Sequence, residues 1–294
     1  MQHLNSFYKY LEFERRNSVH TITAYKNDVG QFCQYLEDER IKLWEDVSSK
    51  VIRLWMVNML DKGVSARSVQ RKVSTLKVLF RFLIREEVLE LNPAEKVITP
   101  KIPKRLPVFV KETEMDNLLD GVKFEEGYQG VRNRLIIDVF YFTGMRLSEL
   151  VDLKLSQIDL AGDIIKVYGK RKKERIIPIT KELKLAIVGY IKERNNCFPN
   201  VENVYVFLTD KGMPIYHKMV YRIVNRYLNV VSTVQKKSPH VIRHSFATAL
   251  LNRGADLNAI KELLGHANLA ATEIYTHNSY EKINAIYKQA HPRA

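Results

Sequence analysis

The sequence predicts a mainly helical protein of two domains, the second of which contains a small antiparallel sheet. Apolar residues recur at helical spacing through residues 1–92 and through most of 108–294. Between these blocks, residues 96–107 contain three prolines and four basic residues, which predicts an extended linker. Residues 163–180 instead hold two short β-branched runs around a basic turn, a pattern typical of a β-hairpin.

The N-terminal block is predicted to form helices over residues 4–13, 21–36, 51–60 and 65–85. The last of these segments carries six basic residues and no acidic one. A charged helix face is often only solvated, but this single sign of charge favours contact with a polyanion. The candidate contact residues on this face are Arg67, Ser68, Arg71, Lys72 and Lys77.

The C-terminal block begins with predicted helices over residues 112–119 and 132–142. The second is apolar nearly all round, which predicts a buried helix. Gly144 ends it, and Arg146 opens a short helix whose N-terminal amides favour an anion. After the hairpin, further amphipathic helices are expected over residues 181–194 and 218–231.

The stretch from residue 238 to residue 277 predicts three short helices, beginning near residues 239, 256 and 268. The first two should end at Gly254 and Gly265, because glycine adopts left-handed dihedrals at little cost. Pro239 suits a first helical turn, where its missing N–H would have no partner.

Four side chains in this stretch form a chemically coherent set: His240, Arg243, His266 and Tyr275. Arginine offers a planar fork of donors that matches two phosphate oxygens. Histidine exchanges protons near neutral pH, and tyrosine can act as a covalent nucleophile. Each residue alone is more simply interpreted as part of a core, but the set together indicates phosphate chemistry.

The composition favours a nucleic-acid partner and a reducing compartment. The chain has 47 basic and 33 acidic residues, a net charge of +14, and the excess is divided between residues 1–107 and 108–294. Cys33 and Cys197 have no metal-ligand spacing. No apolar run approaches membrane-spanning length, and charged residues interrupt the first twenty positions, so a cytoplasmic protein without membrane insertion is expected.

Several motifs in a fixed order resemble a known family. They are Thr143-Gly144-Met145-Arg146, Tyr168-Gly169-Lys170, His240-Val241-Ile242-Arg243, Leu263-Leu264-Gly265-His266 and Tyr275-Thr276-His277. In this order they resemble the tyrosine recombinases, or phage-integrase-like proteins, and are most similar to the bacterial Xer branch. The resemblance extends along nearly the whole chain.

The resemblance implies a helical core-binding (SAM-like) DNA clamp at residues 1–95, the linker at 96–107, and an α+β catalytic domain at 108–294. It also implies six catalytic residues and no cofactor. In that scheme Tyr275 attacks the scissile phosphate, two arginines stabilise its charge, two histidines bind it and relay a proton, and a lysine protonates the leaving oxygen. The six residues are Arg146, Lys170, His240, Arg243, His266 and Tyr275.

One departure from the family pattern leaves the general acid open. The family commonly has Gly-Lys-Gly in the hairpin, whereas this chain has Gly169-Lys170-Arg171. Lys170 is favoured by position, and Lys172 remains either a second candidate acid or a DNA contact. A metal site is not expected: no carboxylate or thiol completes a ligand set with the histidines, and Arg243 would repel a cation.

The implied function is site-specific recombination through a 3′-phosphotyrosyl intermediate and a Holliday junction, with chromosome dimer resolution as the expected role. The alternatives are a mobile-element integrase, a type IB topoisomerase, and a non-catalytic DNA-binding protein on the same scaffold. The expected partners are double-stranded DNA with inverted half-sites and a homo- or hetero-tetramer. The tail helix, residues 279–294, presents an apolar face that is expected to dock on a neighbouring protomer.

Overall fold

The computed structural model describes residues 2–102, 108–168, 174–199, 204–265 and 277–293, with the side chains of the last segment described from residue 284 onward. The chain divides into two compact units, residues 1–105 and 106–294. Each unit has its own hydrophobic core. The predicted class, mainly helical with a small antiparallel sheet, is confirmed.

The N-terminal unit is helical, and its helices lie within a few residues of the predicted segments. Ser18, Ser48 and Ser65 begin three of them by accepting a hydrogen bond from the backbone N–H three residues later. The helices are α1 (Leu4–Lys9, continued by a π-helical segment, Tyr10–Glu14), α2 (Val19–Asp38), α3 (Ser49–Asp61) and α4 (Ala66–Arg85).

Aromatic side chains from α2, α3 and α4 meet in the centre of this unit. The Phe32 ring lies 4.8 Å from the Trp55 ring and 6.4 Å from the Phe80 ring, measured between centroids. Such pairs combine a large buried apolar area with favourable ring geometry. Val97 also packs into this core, so the compact unit continues past Lys96.

The C-terminal unit surrounds one buried helix. Its helices are α5 (Glu112–Asp116, continued by a π-helical segment, Asn117–Gly121), α6 (Gly127–Thr143), α7 (Leu147–Val151), α8 (Lys181–Cys197), α9 (His217–Val231), α10 (Pro239–Asn252), α11 (Leu257–Leu264) and α12 (His277–Ala290), with a 3-10 turn at Leu155–Gln157. Helices α8, α9 and α10 pack against α6. The prediction that α6 is buried is confirmed, since every residue from Leu135 to Thr143 is buried.

Three strands among the described residues form one antiparallel sheet: β1 (Ile158–Asp159), β2 (Ile164–Tyr168) and β3 (Glu174–Pro178). Strands β2 and β3 pair from Ile164 opposite Pro178 to Tyr168 opposite Glu174. The predicted hairpin is therefore confirmed. Strand β1 was not predicted, because two residues are too few for an alternating pattern to be recognised.

The end of α12 packs on the rest of the C-terminal unit. Tyr287 is buried and its hydroxyl donates to the Phe142 carbonyl oxygen at 2.9 Å. His291 stacks on the Phe142 ring with centroids 5.0 Å apart, and the Arg293 guanidinium bonds Asp116 and Asp120. In the single chain, Tyr287 and His291 of the tail are thus buried against the chain's own core, while docking of the tail on a neighbouring protomer stays a prediction.

Candidate active site

Arg146 lies in the tight turn between α6 and α7. Gly144 ends α6 with a φ of 58°, and a Cβ atom at this position would lie 2.4 Å from Cδ1 of Phe246. Both the dihedral and the close approach therefore require glycine. The turn directs the chain so that Arg146 caps α7, where its backbone N–H donates to Glu149 Oε2 at 2.7 Å. The glutamate at this spacing supplies one half of a capping box.

Arg243 lies on the buried side of α10. Pro239 occupies the first turn of this helix as predicted, whereas the Ser238 hydroxyl is buried without a hydrogen-bond partner in the described chain. Arg243 is 8% exposed. Its Nη1 donates to the Gly144 carbonyl and its Nη2 donates to the Leu264 carbonyl at 2.7 Å. Arg243 therefore connects the turn before Arg146 with the end of α11.

Three arginines donate to three successive carbonyl groups at the C-terminal end of α11. Arg175 Nε bonds the Leu263 carbonyl at 2.9 Å, Arg243 Nη2 bonds that of Leu264 at 2.7 Å, and Arg146 Nη2 bonds that of Gly265 at 2.5 Å. These carbonyls have no partners within the helix and carry its negative dipole end, so cations are favoured there. The described structure thus brings Arg146 and Arg243 to one helix end.

Gly265 ends α11 in the left-handed conformation, with a φ of 66°. A Cβ atom there would lie 3.1 Å from Cδ of Arg175, so the close approach of that side chain also favours glycine. The predicted boundary at Gly265 is confirmed. The next residue, His266, lies outside the described residues.

Glu149 holds two of these arginines through one carboxylate. Its Oε1 accepts from Arg175 Nη1 at 2.6 Å and from Arg146 Nη1 at 2.8 Å, and its Oε2 accepts from Arg175 Nη2 at 2.8 Å. Burial acts to raise the pKa of Glu149, but the hydrogen bonds and charges of Arg175 and Arg146 outweigh it and lower the pKa to about 2. The carboxylate is therefore ionised throughout the neutral range.

The site carries a concentrated positive charge. Burial lowers the pKa of Arg243, and the nearby charges of Arg146 and Arg175 lower it further, yet at about 9 it leaves the guanidinium protonated at neutral pH. His240 is exposed at the start of α10. Its pKa is lowered by partial desolvation and then by Arg243, Lys236 and Arg146. These effects favour the neutral imidazole, which is the form that can accept a proton.

The other candidate catalytic residues lie outside the described residues: Lys170, Lys172, His266 and Tyr275. Residues 169–173, which include both lysines, connect the paired strand ends Tyr168 and Glu174. The predicted third helix carrying Tyr275 likewise lies outside the described residues, and α12 begins at His277. Lys170 or Lys172 as the general acid, and Tyr275 as the nucleophile, therefore stay predictions.

The predicted DNA-contact residues on α4 have different environments within the N-terminal unit. Arg67 and Arg71 are exposed, Ser68 bonds the capping Ser65 hydroxyl at 2.9 Å, and Lys77 Nζ donates to the Glu95 carbonyl at 2.9 Å. These arrangements leave Arg67 and Arg71 on the surface that a polyanion could reach.

Lys72 on α4 is buried, although it was predicted to contact DNA. It is 6% exposed, and its Nζ donates to Asp28 Oδ1 at 2.9 Å and to Gln31 Oε1 at 2.7 Å. Asp28, at 1% exposure, also accepts from Arg71 and Thr75. A buried carboxylate needs such partners, so Lys72 neutralises Asp28 instead of facing a ligand. The prediction that Lys72 contacts DNA is therefore wrong.

Arg175 was not among the site residues predicted from the sequence. The alternation of side chains along β3 could have indicated that Arg175 is buried, because it lies on the same face of the strand as Ile177, which is fully buried. A charged residue on the inward face of a strand predicts a buried ion pair.

The described residues contain neither a metal-binding cluster nor a membrane-spanning helix. No group of three or more His, Cys, Asp or Glu side chains among them is arranged to hold a metal ion. Within the same part of the chain, every helix is too short or too polar to span a bilayer.

Comparison with known proteins gives the same family over the whole chain. Residues 109–282 match the model of the phage integrase family, and residues 4–87 match that of the phage integrase N-terminal SAM-like domain. The tyrosine recombinase XerC of Chlorobaculum parvum is 37% identical, over 99% of this chain and 94% of its own. That of Staphylococcus carnosus is also 37% identical, over 98% and 97%.

A crystal structure of the XerH site-specific recombinase bound to its difH substrate has the same fold. It superposes with a TM-score of 0.70 at 22% identity, covering 97% of this chain and 81% of the XerH chain. The family models and the relatives that match nearly the whole chain agree with the family that the sequence motifs resemble. The chain therefore belongs to the phage integrase family, and the relatives it matches from end to end are tyrosine recombinases.

Proposed function

We propose that this tyrosine recombinase cleaves and rejoins double-stranded DNA at specific sites through a 3′-phosphotyrosyl intermediate on Tyr275. The observation that carries the proposal is the pair of guanidiniums, Arg146 and Arg243, fixed at one helix end by backbone carbonyls and Glu149. A guanidinium has five N–H donors. The hydrogen bonds within the described residues use two nitrogens of each arginine side chain, which leaves further donors for a phosphate.

The arginines supply the electrostatic part of the mechanism. In-line attack on a phosphodiester increases the charge on its non-bridging oxygens, and positioned guanidiniums stabilise that charge in the transition state. The Tyr275 oxygen forms a bond to phosphorus while the bond to the 5′ oxygen breaks. The phosphotyrosyl ester conserves the bond energy, so a 5′ hydroxyl can later reverse the step and join strands.

Proton transfer is assigned to the lysine and the histidines. Lys170 protonates the leaving 5′ oxygen, which would otherwise depart as an alkoxide. His240 and His266 hydrogen-bond the phosphate and relay the single phenolic proton of Tyr275. The lowered pKa of His240 supports this role, because the imidazole is neutral when the tyrosine must lose its proton.

The DNA-binding part of the proposal assigns residues 1–95 to a clamp, 96–107 to a linker and 108–294 to catalysis. Support comes from the net charge of +14 and from the exposed Arg67 and Arg71 on α4. The relative XerH was solved with its difH substrate, which also favours DNA as the ligand. Lys172 remains a proposed phosphate contact in the hairpin.

At the level of the assembly, we propose a homo- or hetero-tetramer on inverted half-sites that exchanges strands through a Holliday junction. The similarity to XerC proteins along the full chain favours chromosome dimer resolution in the cytoplasm. A tail that docks on a neighbour in that assembly would first have to leave its own core, where Tyr287 and His291 are buried.

The test is covalent capture on a nicked suicide substrate that carries the recombination site. The wild-type chain should form a protein–DNA adduct in excess EDTA, and Tyr275→Phe should form none while its DNA dissociation constant changes by less than about 3-fold, because the lost hydroxyl acts mainly in the transition state. Tyr280→Phe serves as the matched control and should form the adduct. An adduct on Tyr275→Phe, or cleavage that requires a divalent ion, would contradict the mechanism.

A further inference from the structure

We propose that Arg175 is a positioning residue for DNA cleavage: it holds Arg146 and the turn before His266 in one fixed arrangement. This inference rests on the proposed function. Arg175 is 4% exposed on β3, and all three of its guanidinium nitrogens donate hydrogen bonds. It contacts two segments that are distant in sequence, at Glu149 on α7 and at Leu263 on α11.

The geometry of these contacts requires arginine. Nη1 and Nη2 bond the two carboxylate oxygens of Glu149 at 2.6 and 2.8 Å, while Nε bonds the Leu263 carbonyl at 2.9 Å. The planar guanidinium makes these bonds in fixed directions, and a lysine ammonium at the end of a flexible chain cannot replace this fork.

The carboxylate transmits this constraint to Arg146. Glu149 Oε1, already bound by Arg175, accepts from Arg146 Nη1, and Oε2 accepts from the Arg146 backbone N–H. Both the backbone and the side chain of Arg146 are thus fixed by the group that Arg175 fixes. Arg175 also binds the Leu263 carbonyl, and the next two carbonyls along the chain bind Arg243 and Arg146.

The position of Arg175 in the chain adds a third connection. It is the second residue of β3, and residues 169–173, with the candidate acid Lys170, immediately precede that strand. The Arg175 side chain therefore connects strand β3 of the hairpin with helix α7, which Arg146 caps, and with the end of α11, which precedes His266. This is the arrangement expected of a residue that supports several catalytic groups without touching the substrate.

Arg132 offers a matched control in the same unit. It is also a buried arginine, at 2% exposure, and its Nη1 bonds Asp210 Oδ1 at 2.6 Å and the Leu208 carbonyl at 3.2 Å. None of its described partners contacts Arg146 or Arg243. Arg132→Lys therefore also removes a buried guanidinium, but one that is not bonded to the partners of Arg146 or Arg243.

The first measurement is single-turnover cleavage of the suicide substrate at saturating DNA. Arg175→Lys should slow cleavage by about 100-fold, the loss expected from a small misplacement of catalytic groups, whereas Arg132→Lys should slow it by less than about 3-fold. The DNA dissociation constants of both variants should stay within about 3-fold of wild type, because both arginine side chains are buried. Equal rates for the two variants, or a wild-type rate for Arg175→Lys, would overturn the proposal.

The second measurement distinguishes positioning from a general structural role. In Arg175→Met, Glu149 loses its main partner and its pKa rises, so the cleavage rate relative to wild type should fall as the pH is lowered from about 8 to about 5. Adding Glu149→Gln to that variant removes the titrating group and should abolish this pH dependence. A variant-to-wild-type ratio that is flat with pH for Arg175→Met would count against the proposal.

A third measurement does not depend on activity. Amide hydrogen exchange at residues 146–151 and 260–265 should accelerate in Arg175→Lys but not in Arg132→Lys, because only the former releases α7 and the end of α11. If exchange is unchanged, the positioning role fails even where the wild type cleaves DNA. If exchange accelerates but the wild type forms no adduct, the proposed function fails and the positioning role stands.

Discussion

Substitution of Gly144 by alanine should both destabilise the C-terminal unit and disturb the site. Gly144 has a φ of 58°, and an added Cβ atom would lie 2.4 Å from Cδ1 of Phe246 and 2.9 Å from Cδ2 of Leu264. The left-handed conformation costs alanine about 1–2 kcal/mol. Overpacking of a core typically adds about 1–3 kcal/mol. Together they predict a loss of about 2–5 kcal/mol in the free energy of unfolding of the catalytic unit.

Gly254 is the control for the dihedral alone. Its φ is 83°, but an added Cβ atom would meet no described heavy atom within 4 Å. Gly254→Ala should therefore cost only about 1–2 kcal/mol. The difference between the two variants isolates the contact with Phe246 and Leu264.

Urea unfolding followed by far-UV circular dichroism measures both losses. Trp44 and Trp55 are the two tryptophans of the chain, and both belong to the N-terminal unit, so tryptophan fluorescence reports on that unit and identifies its transition. The circular dichroism transition that fluorescence does not follow then belongs to the catalytic unit. Only this second transition should shift in the two variants.

Gly144→Ala should also impair cleavage beyond its effect on folding. The Gly144 carbonyl accepts a hydrogen bond from Arg243, and Arg146 follows two residues later. A displaced turn should slow single-turnover cleavage by about 10- to 100-fold in conditions where the protein is folded. Equal destabilisation by both glycine variants, or unchanged cleavage by folded Gly144→Ala, would refute this reasoning.

Two further predictions concern the leaving group and the tail. Lys170→Ala should cleave slowly and recover on a substrate with a 5′-bridging phosphorothiolate, because a thiolate leaves without a proton; rescue of Lys172→Ala instead would assign the acid to Lys172. Tyr287→Ala should destabilise the catalytic unit by about 3–5 kcal/mol, as expected for a buried aromatic ring, while the exposed Gln289→Ala should change it by less than about 0.5 kcal/mol. The same urea titration measures both, and equal stability of the two tail variants would show that the tail is not docked on its own core.

The secondary structure was largely predictable because its determinants are local. Apolar periodicity, serine caps and the glycines at 144, 254 and 265 are read from neighbouring residues, and the helices end where these signals lie. The π-helical continuations after α1 and α5 and the two-residue strand β1 were missed, since neither leaves a distinct pattern in so few residues.

Candidate site residues were accessible from the sequence only where their type is chemically unusual or fits a family motif. Arg146, His240 and Arg243 were named in this way. Arg175 was missed because its importance arises from contacts with Glu149 and Leu263, which are 26 and 88 residues away along the chain. Such long-range pairing has no local signal beyond a charge on the inward face of a strand.

The environment of each charge also depended on the tertiary structure. A helical projection places Lys72 beside Arg71 on a basic face, but the depth of a side chain is determined by the packing of neighbouring helices, and Asp28 of α2 draws Lys72 inward. For the tail, the apolar face was evident from the sequence, whereas the surface around Phe142 that buries Tyr287 and His291 was not. The sequence alone determined which segments are helical, which face of each is apolar and which residue types can do phosphate chemistry, because these follow from local order. The tertiary structure decided which charges are neutralised and which carbonyls hold the arginines, because those depend on distances between segments remote in the chain.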